Sequence, residues 1–261
     1  MREIARFFLF NLHILNRGLP RVLPELLGEA GMPDVTFWNE VPPGGLPKLL
    51  ASTGARWSSV EGPSALFLGL APFNMSMHVR EGAALTGLER VASLGLAFGR
   101  RALVARVRLG ERSILLVNTH LTAELPFVAG ARFFMRAKQL TKLAGHLRAL
   151  RERDEPILLG GDFNYCRVRG DEVEQRWAAD FLGRELDLVD VARERAGAGG
   201  VVDTWPSQGH WDAGLGPQRM DLFYLSRSWM PRVRDLVVHA WPWKRSGSDH
   251  NAVSLVLDLE G

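Results

Sequence analysis

Cysteine is almost absent: Cys166 is the only one in 261 residues, so no disulfide forms within the chain and cysteine usage does not fix the redox compartment. Long apolar runs are missing too. No segment approaches the roughly 20 uninterrupted apolar residues of a membrane-spanning helix. The N-terminal MREIARFFLFNLHIL is broken by Asn11 and His13, with no small-residue cleavage site behind it. It reads as a first strand rather than a signal peptide, and a cytoplasmic protein is the expectation. Charge of one sign is scarce as well. With 32 basic against 29 acidic residues the net charge is only +3, which implies no more than a modest attraction to polyanions. Lysine is rare within that total, occurring at Lys48, Lys138, Lys142 and Lys244. The resulting arginine bias serves either bidentate phosphate recognition or ordinary surface preference.

What is present is an ordinary globular composition, 46% apolar and 23% charged, enough to bury a large core. The length suits one large domain or two ordinary ones. Without a linker, a repeat or a low-complexity tract, one domain over residues 1–261 is expected.

The chain is organised around LLGGDFN, residues 158–164. Pro156 precedes a short apolar run from Ile157 to Leu159, read as a buried strand that ends in a tight turn at Gly160 and Gly161. Asp162 and Asn164 leave that turn together and offer an ionised oxygen and a neutral amide at one place, a pairing suited to positioning a water and a phosphoryl oxygen. An Asp/Asn turn that satisfies its own backbone is the competing reading.

Other strand ends carry similar chemistry. A strand near Ile4 to Ile14 contains Asn11, and after a helix from about Pro20 to Glu29 the strand VTFWNEV brings Glu40 to its end. From Ser64 to Phe98 several strands are expected, with turns at Pro72, Gly82 and Gly87 and with His78 on a sheet face. Arg101 to Leu109 and Ser113 to Thr119 form a hairpin through Gly110 and Glu111. Its second strand runs into NTHL, where Asn118 and His120, two apart, share a face. Ala131 to Arg153 has helical spacing, with Phe134, Ala137, Leu140, Ala144, Leu147 and Leu150 on one face. A second helical piece spans about Asp171 to Leu182, and AGAGG at residues 196–200 marks a loop. VVDTW, RMDLFYLS, a strand near Val233 to Ala240, the loop WPWKRSGSDH and a last strand AVSLVLDL complete the chain.

Taken in order, Asn11 in FNLHI, Glu40 in FWNEV, NTHL, GGDFN, RMDLFYLS and GSDHNAV form a series that resembles the endonuclease/exonuclease/phosphatase superfamily. That group includes nucleases similar to DNase I and exonuclease III, sphingomyelinases and inositol-phosphate 5-phosphatases. The resemblance runs from about residue 4 to 258 and implies an α/β fold, a four-layer α/β/β/α sandwich of two mainly antiparallel sheets flanked by helices. It implies a divalent metal, Mg²⁺ or Mn²⁺, bound by Glu40 with Asn11 beside it and Asp249 adding a carboxylate. Asp162 and Asn164 would orient the nucleophilic water and the phosphate. His250 would act as general base or phosphate contact, oriented by Asp221, and His120 would stabilise the transition state or assist the leaving group. Chemistry agrees: Mg²⁺ keeps waters and takes one or two carboxylates, and a His paired with an Asp has its tautomer fixed. Two departures are Asn39, where many relatives have Gln, and the His of NTHL, which leans away from abasic-site enzymes similar to exonuclease III.

Substrate choice is left to loops. Trp241 and Trp243 stand just before Asp249 and His250, where aromatics stack on bases, enter a lipid interface or pack against the sandwich edge. The stretch LPFVAGARFF after NTHL allows the same readings. Tyr165 and His210 are further candidate substrate contacts, while Arg219 braces the loop carrying Asp221. The leading expectation is a metal-dependent phosphodiesterase acting on nucleic acid. The alternatives are the same chemistry on a phospholipid headgroup or inositol phosphate, or a non-catalytic binding module, with no obligate protein partner indicated.

Overall fold

A computed structural model of the chain describes residues 4–12, 19–41, 46–64, 73–123, 131–165, 173–196, 203–205 and 217–260. Among them are two six-stranded sheets. The first has the strand order β11-β12-β1-β2-β4-β3, built from β1 (Ile4–Asn11), β2 (Val35–Val41), β3 (Trp57–Pro63), β4 (Asn74–Arg80), β11 (Val233–His239) and β12 (Ala252–Asp258). The second runs β5-β6-β7-β8-β10-β9, from β5 (Thr86–Gly95), β6 (Arg101–Leu109), β7 (Arg112–His120), β8 (Ile157–Asp162), β9 (Leu188–Asp190) and β10 (Asp221–Ser226).

Each sheet holds one parallel pair at its centre, β1 with β2 and β7 with β8, and is otherwise antiparallel. A parallel pair needs a crossover. Helix α1 (Leu19–Glu29) supplies the first and α3 (Ala131–Leu150) the second.

The central strands are buried on both faces, which is why they read as continuous apolar runs instead of alternating. In β1, Phe7 and Leu9 enter the core between the sheets, with Phe37, Met77, Leu116, Leu158 and Leu255. Phe8 and Phe10 point the other way, under Leu23, Leu26 and Leu27 of α1 and Leu46 and Leu50 of α2 (Leu46–Ala51). On the outside of the second sheet, Leu140, Leu143, Ala144 and Leu147 of α3 and Ala178 and Leu182 of α4 (Val173–Leu186) cover Val117, Ile157 and Leu159. Burying one such phenylalanine or leucine stabilises the fold by roughly 1.5–3 kcal/mol.

Several expectations need correction. Gly160 and Gly161 are not a turn but the last part of β8, and they answer a steric demand. A Cβ on Gly160 would lie 2.8 Å from the Phe223 ring, and one on Gly161, whose φ is +150°, would lie 2.0 Å from the Thr119 carbonyl oxygen. Gly87 lies inside β5 next to a register shift, so it marks a bulge. Phe134 is 57% exposed: Leu140, Ala144 and Leu147 of the expected face are buried and Leu143 joins them, while Phe134, six residues before Leu140, is turned about 120° away. The short elements β3, α2, β9 and α5 (Val191–Ala196) had no clear periodicity to announce them. Pro72 and most of AGAGG lie outside the described residues.

Candidate active site

Six functional side chains meet because of how strands end. The parallel strands β1, β2, β7 and β8 finish at one end of the sandwich, and their antiparallel neighbours β10 and β12 begin there. Asn11, Glu40, His120 and Asp162 are therefore at or next to strand termini, while Asp221 opens β10 and His250 lies just before β12. Asp162 is central. In register it stands between His120 on β7 and Asp221 on β10.

Asn11 Nδ2 donates to Asp162 Oδ2 at 2.9 Å and lies 3.5 Å from Glu40 Oε1. His120 Nε2 faces the same two carboxylates, 3.6 Å from Asp162 and 3.9 Å from Glu40. Glu40 gets there through local distortion, since its φ is +54° and the β2/β4 pairing shifts register between Trp38 and Val41. A left-handed non-glycine residue at a bulge is a device for re-aiming a side chain. Asn164, also left-handed at +51°, gives its backbone N–H to Asp162 Oδ1 at 2.9 Å and its side-chain Nδ2 to the Leu121 carbonyl at 3.1 Å.

On the opposite side, His250 Nδ1 lies 2.7 Å from Asp221 Oδ2, which fixes the ring and leaves Nε2 directed at Asp162 Oδ2, 4.0 Å away. That separation is too wide for a direct hydrogen bond, and an oxygen seated beside the pair, off the line between them, would be within reach of both.

The electrostatics separate the two histidines. Burial lowers the proton affinity of His120 well below the ordinary range, helped by Arg100 and His250. Burial pulls His250 the same way, but the Asp221 carboxylate outweighs it and holds His250 well above. Burial also pushes Asp162 up to about 7, opposed by His250 and reinforced by Asp221 and Glu40. A buried carboxylate crowded by two others is short of positive charge.

The site fits a hard cation on that ground. Ligand atoms of Asp162, Asp221 and His250 lie within 4.8 Å of one another, and Asp221 Oδ1 and Asp249 Oδ1 are buried with no hydrogen-bond partner. The carboxylate oxygens among these suit Mg²⁺ or Mn²⁺, whereas His250, held toward its cationic form by its carboxylate neighbours, is not a ligand. The other Asp249 oxygen accepts the Trp205 indole N–H at 3.1 Å.

Three residues overlooked in the sequence hold these parts together. Thr204 Oγ1 accepts the backbone N–H groups of Met220 and Asp221 at 2.9 and 2.8 Å, and its carbonyl accepts Asn251 N–H at 2.6 Å. Thr204 and Trp205 thus tie β10 to the GSDHN loop. Ser248 ties that loop to β1 by donating to the Asn11 carbonyl at 2.6 Å. The signal was a Thr-Trp pair well upstream of RMDLF, too short to register as an element.

Two proposed substrate contacts are corrected. Tyr165 is fully buried against Phe163 and the underside of α4. Trp241 packs between Phe8 and Phe10, and its indole donates to Glu29 at 3.0 Å. Both supply apolar surface to outer layers of the sandwich and do not face a ligand. His210 lies outside the described residues, as does the side chain of Trp243.

The chain matches the model of the Endonuclease/Exonuclease/phosphatase family over residues 26–250 and belongs to that family. Its fold is that of solved family structures at low identity. TDP2 of D. rerio, solved with a single-strand DNA product, gives a TM-score of 0.71 at 17% identity, covering 97% of this chain and 98% of that one. The AP endonuclease LMAP from Leishmania major gives 0.70 at 17% identity, over 98% and 88% of the two chains. The human Nocturnin catalytic domain, solved with a bound sulfate anion, gives 0.68 at 17% identity, over 98% and 94%. An uncharacterized 149 kDa protein of transposon TX1 from Xenopus laevis is 30% identical over 167 residues, 61% of this chain. The chain spans about a tenth of that relative, 11% of its length.

Proposed function

We propose that this chain is a divalent-metal-dependent phosphodiesterase that hydrolyses nucleic acid. The observation that carries the reading is the 4.0 Å space between His250 Nε2 and Asp162 Oδ2, bounded by an Asp221-oriented imidazole on one side and an Asn164-braced carboxylate on the other. The two groups present a donor and an acceptor to the same point, as a phosphoryl oxygen and an attacking water beside them require. The solved D. rerio TDP2 with its single-strand DNA product and the transposon relative support nucleic acid as the substrate class. The packing of Trp241 in the interior removes one argument for a lipid surface.

The Glu40 and Asp162 carboxylates, which converge on Asn11, would hold Mg²⁺ or Mn²⁺. When bound, the cation offsets phosphate charge and acidifies water. The protein's own groups supply the rest. Asp162 orients the water and takes a proton from it as the water oxygen attacks phosphorus. His250, kept cationic by Asp221, donates from Nε2 to a non-bridging phosphoryl oxygen, where negative charge builds up in the transition state. His120, neutral and buried, keeps its Nε2 against Glu40 and Asp162 and holds those carboxylates in place. The bond from phosphorus to the leaving oxygen then breaks, and the leaving oxygen is protonated from solvent.

Hydrolysis of single- and double-stranded DNA, RNA, phospholipid vesicles and soluble phosphate esters, with Mg²⁺, Mn²⁺ or chelator, tests this. Metal-dependent cleavage of nucleic acid that His250→Ala reduces roughly 10²- to 10⁴-fold is expected. Turnover of lipid or soluble ester alone would move the chain to another branch of the family. Binding of nucleic acid without turnover would make it a binding module.

A further inference from the structure

The outer face of α3 carries a feature that the catalytic machinery leaves unexplained. Phe134, Lys138, Lys142 and His146 recur every four residues, so they line up as one stripe along the helix. The 20 residues of α3 contain no Asp or Glu. Lys138 and Lys142 are two of the chain's four lysines, and both are exposed. Among the described residues neither pairs with a carboxylate, and Lys138 rests over the Phe134 ring at 4.3 Å. Arg148, the other exposed cation among the described side chains of the helix, is bound to Glu185 at 2.6 Å.

A groove of about 550 Å³ runs beside the stripe, lined by Ala97, Lys138, Thr141, Lys142, Gly145 and His146. Its far wall is the 3-10 turn Ala97–Gly99, which Gln139 clamps to α3 by donating to the Ala97 carbonyl at 3.1 Å. Next to Ala97, Phe98 is 51% exposed with φ at +58°. A bulky aromatic held in the left-handed region and presented to water is costly on both counts. Such an outlier points to use.

The turn that borders the groove leads toward the catalytic end of the sandwich. Arg100, which follows the turn, lies over the Phe73 ring at 5.8 Å, and that ring packs on His120 at 5.3 Å between centroids. Phe73 and Arg100 thus stand between His120 and the turn that borders the groove. Lys138 and Lys142 stand about 6 Å apart along the helix, so they present two positive charges in a row to a polyanion, with Phe98 and Phe134 as stacking platforms.

We infer that this groove is a second nucleic-acid contact, taking the single strand that flanks the scissile phosphate. The inference rests on the proposed nucleic-acid phosphodiesterase activity and extends its substrate track beyond the catalytic end. Negative charge and stacking bases are the chemistry that complements unpaired lysines beside exposed phenylalanines. An acidic lipid surface would engage the lysines and the exposed rings but would leave the groove between them unfilled.

The test compares cleavage of a graded length series of single-stranded oligonucleotides by wild type, Lys138→Gln/Lys142→Gln and Phe98→Asn, each across a range of salt. Asn tolerates the left-handed backbone, and thermal melting confirms that each variant folds. Wild type should show KM falling as the flank lengthens. In the lysine double variant that gain should disappear, and the slope of log affinity against log salt should drop by about 1.4, or 0.7 per lost contact. Phe98→Asn should lose part of the length gain while keeping the salt slope. A charge-matched double variant, Arg227→Gln/Arg234→Gln, removes cations far from the groove, one just after β10 and one on β11 beside Asp258, and should keep both dependences. Retention of the wild-type length gain and salt slope in Lys138→Gln/Lys142→Gln would overturn the inference while leaving the activity standing. Loss of binding to anionic vesicles, with oligonucleotide cleavage unaltered, would overturn it in favour of a membrane contact. Failure of wild type to cut any nucleic acid would bring down the activity first and the groove with it.

Discussion

Two sets of buried carboxylates in this protein differ in how well they are satisfied. Asp190, packed under the second sheet, receives a bidentate guanidinium from Arg219, whose Nη1 donates to Oδ2 at 2.8 Å while Nη2 donates to Oδ1. Glu155 is held the same way by Arg106, at 2.6 and 3.1 Å. At the strand ends, by contrast, Glu40, Asp162 and Asp221 crowd together, and Asp221 Oδ1 and Asp249 Oδ1 have no partner. Charge neutralised by a fitted arginine holds a fold together. Charge left in want of a cation, in a place the backbone strains to build, marks where chemistry happens.

The sharpest way to break that comparison is to neutralise one member of each set. Asp162→Asn keeps the shape of the side chain but removes the charge and one of the two hydrogen bonds its oxygens accept, from Asn11 Nδ2 and the Asn164 N–H. It should reduce phosphodiester turnover roughly 10²- to 10⁴-fold and change stability by no more than about 1 kcal/mol, read from initial rates and thermal melting. A large loss of stability with modest loss of rate would place Asp162 among the structural carboxylates.

Arg219→Met should do the reverse. It leaves Asp190 buried and unpaired, which costs about 3–5 kcal/mol, measured by urea unfolding. Asp190→Leu added to it should recover most of that loss, because no charge then remains to be neutralised. Activity should follow the folded fraction. If Arg219→Met folded normally but lost turnover, the pair would belong to the catalytic apparatus.

The same contrast explains what could be read from the sequence. Glu40, His120, Asp162, Asp221 and His250 each end or begin an apolar run, so strand periodicity and residue type together locate them, and family order then assembles them. The layers were legible for the same reason: long runs such as ARFFLF and VTFWNEV need cover on both faces. What was hidden depends on partners far away in sequence. Gly160 and Gly161 looked like a turn because nothing local reveals that Phe223 and the Thr119 carbonyl occupy the space a Cβ would need. Tyr165 and Trp241 looked like site residues because they adjoin Asn164 and GSDH, yet alternation along the backbone turns them into the outer packing layers. Thr204 acts through one hydroxyl and one carbonyl, and three residues have no period. Phe134 fitted the expected helical face but lies about 120° from the buried one.

A smaller effect sharpens the comparison among histidines. His78 on β4 is fully buried like His120 and His250, but it belongs to the satisfied set, with Nδ1 2.5 Å from Ser59 Oγ and Nε2 2.9 Å from Ser76 Oγ. No carboxylate is among its partners, so burial alone pushes its pKa down to about 3, against about 6.5 in the unfolded chain. Between those values the unfolded chain holds a proton that the folded one lacks. Stability is therefore full above pH 6.5 and declines as pH falls toward 3, by about 1.4 kcal/mol per pH unit from this group. His120 titrates with the same sign, so the informative quantity is the difference between wild type and His78→Gln, which keeps hydrogen bonding to both serines without a titrating ring. Urea unfolding at stepped pH should give parallel curves above pH 7 and a shallower acid decline in the variant. Curves that stay parallel down to pH 4 would mean that His78 accepts its proton inside the fold, and that two serine hydroxyls do for a buried imidazolium what Asp221 does for His250.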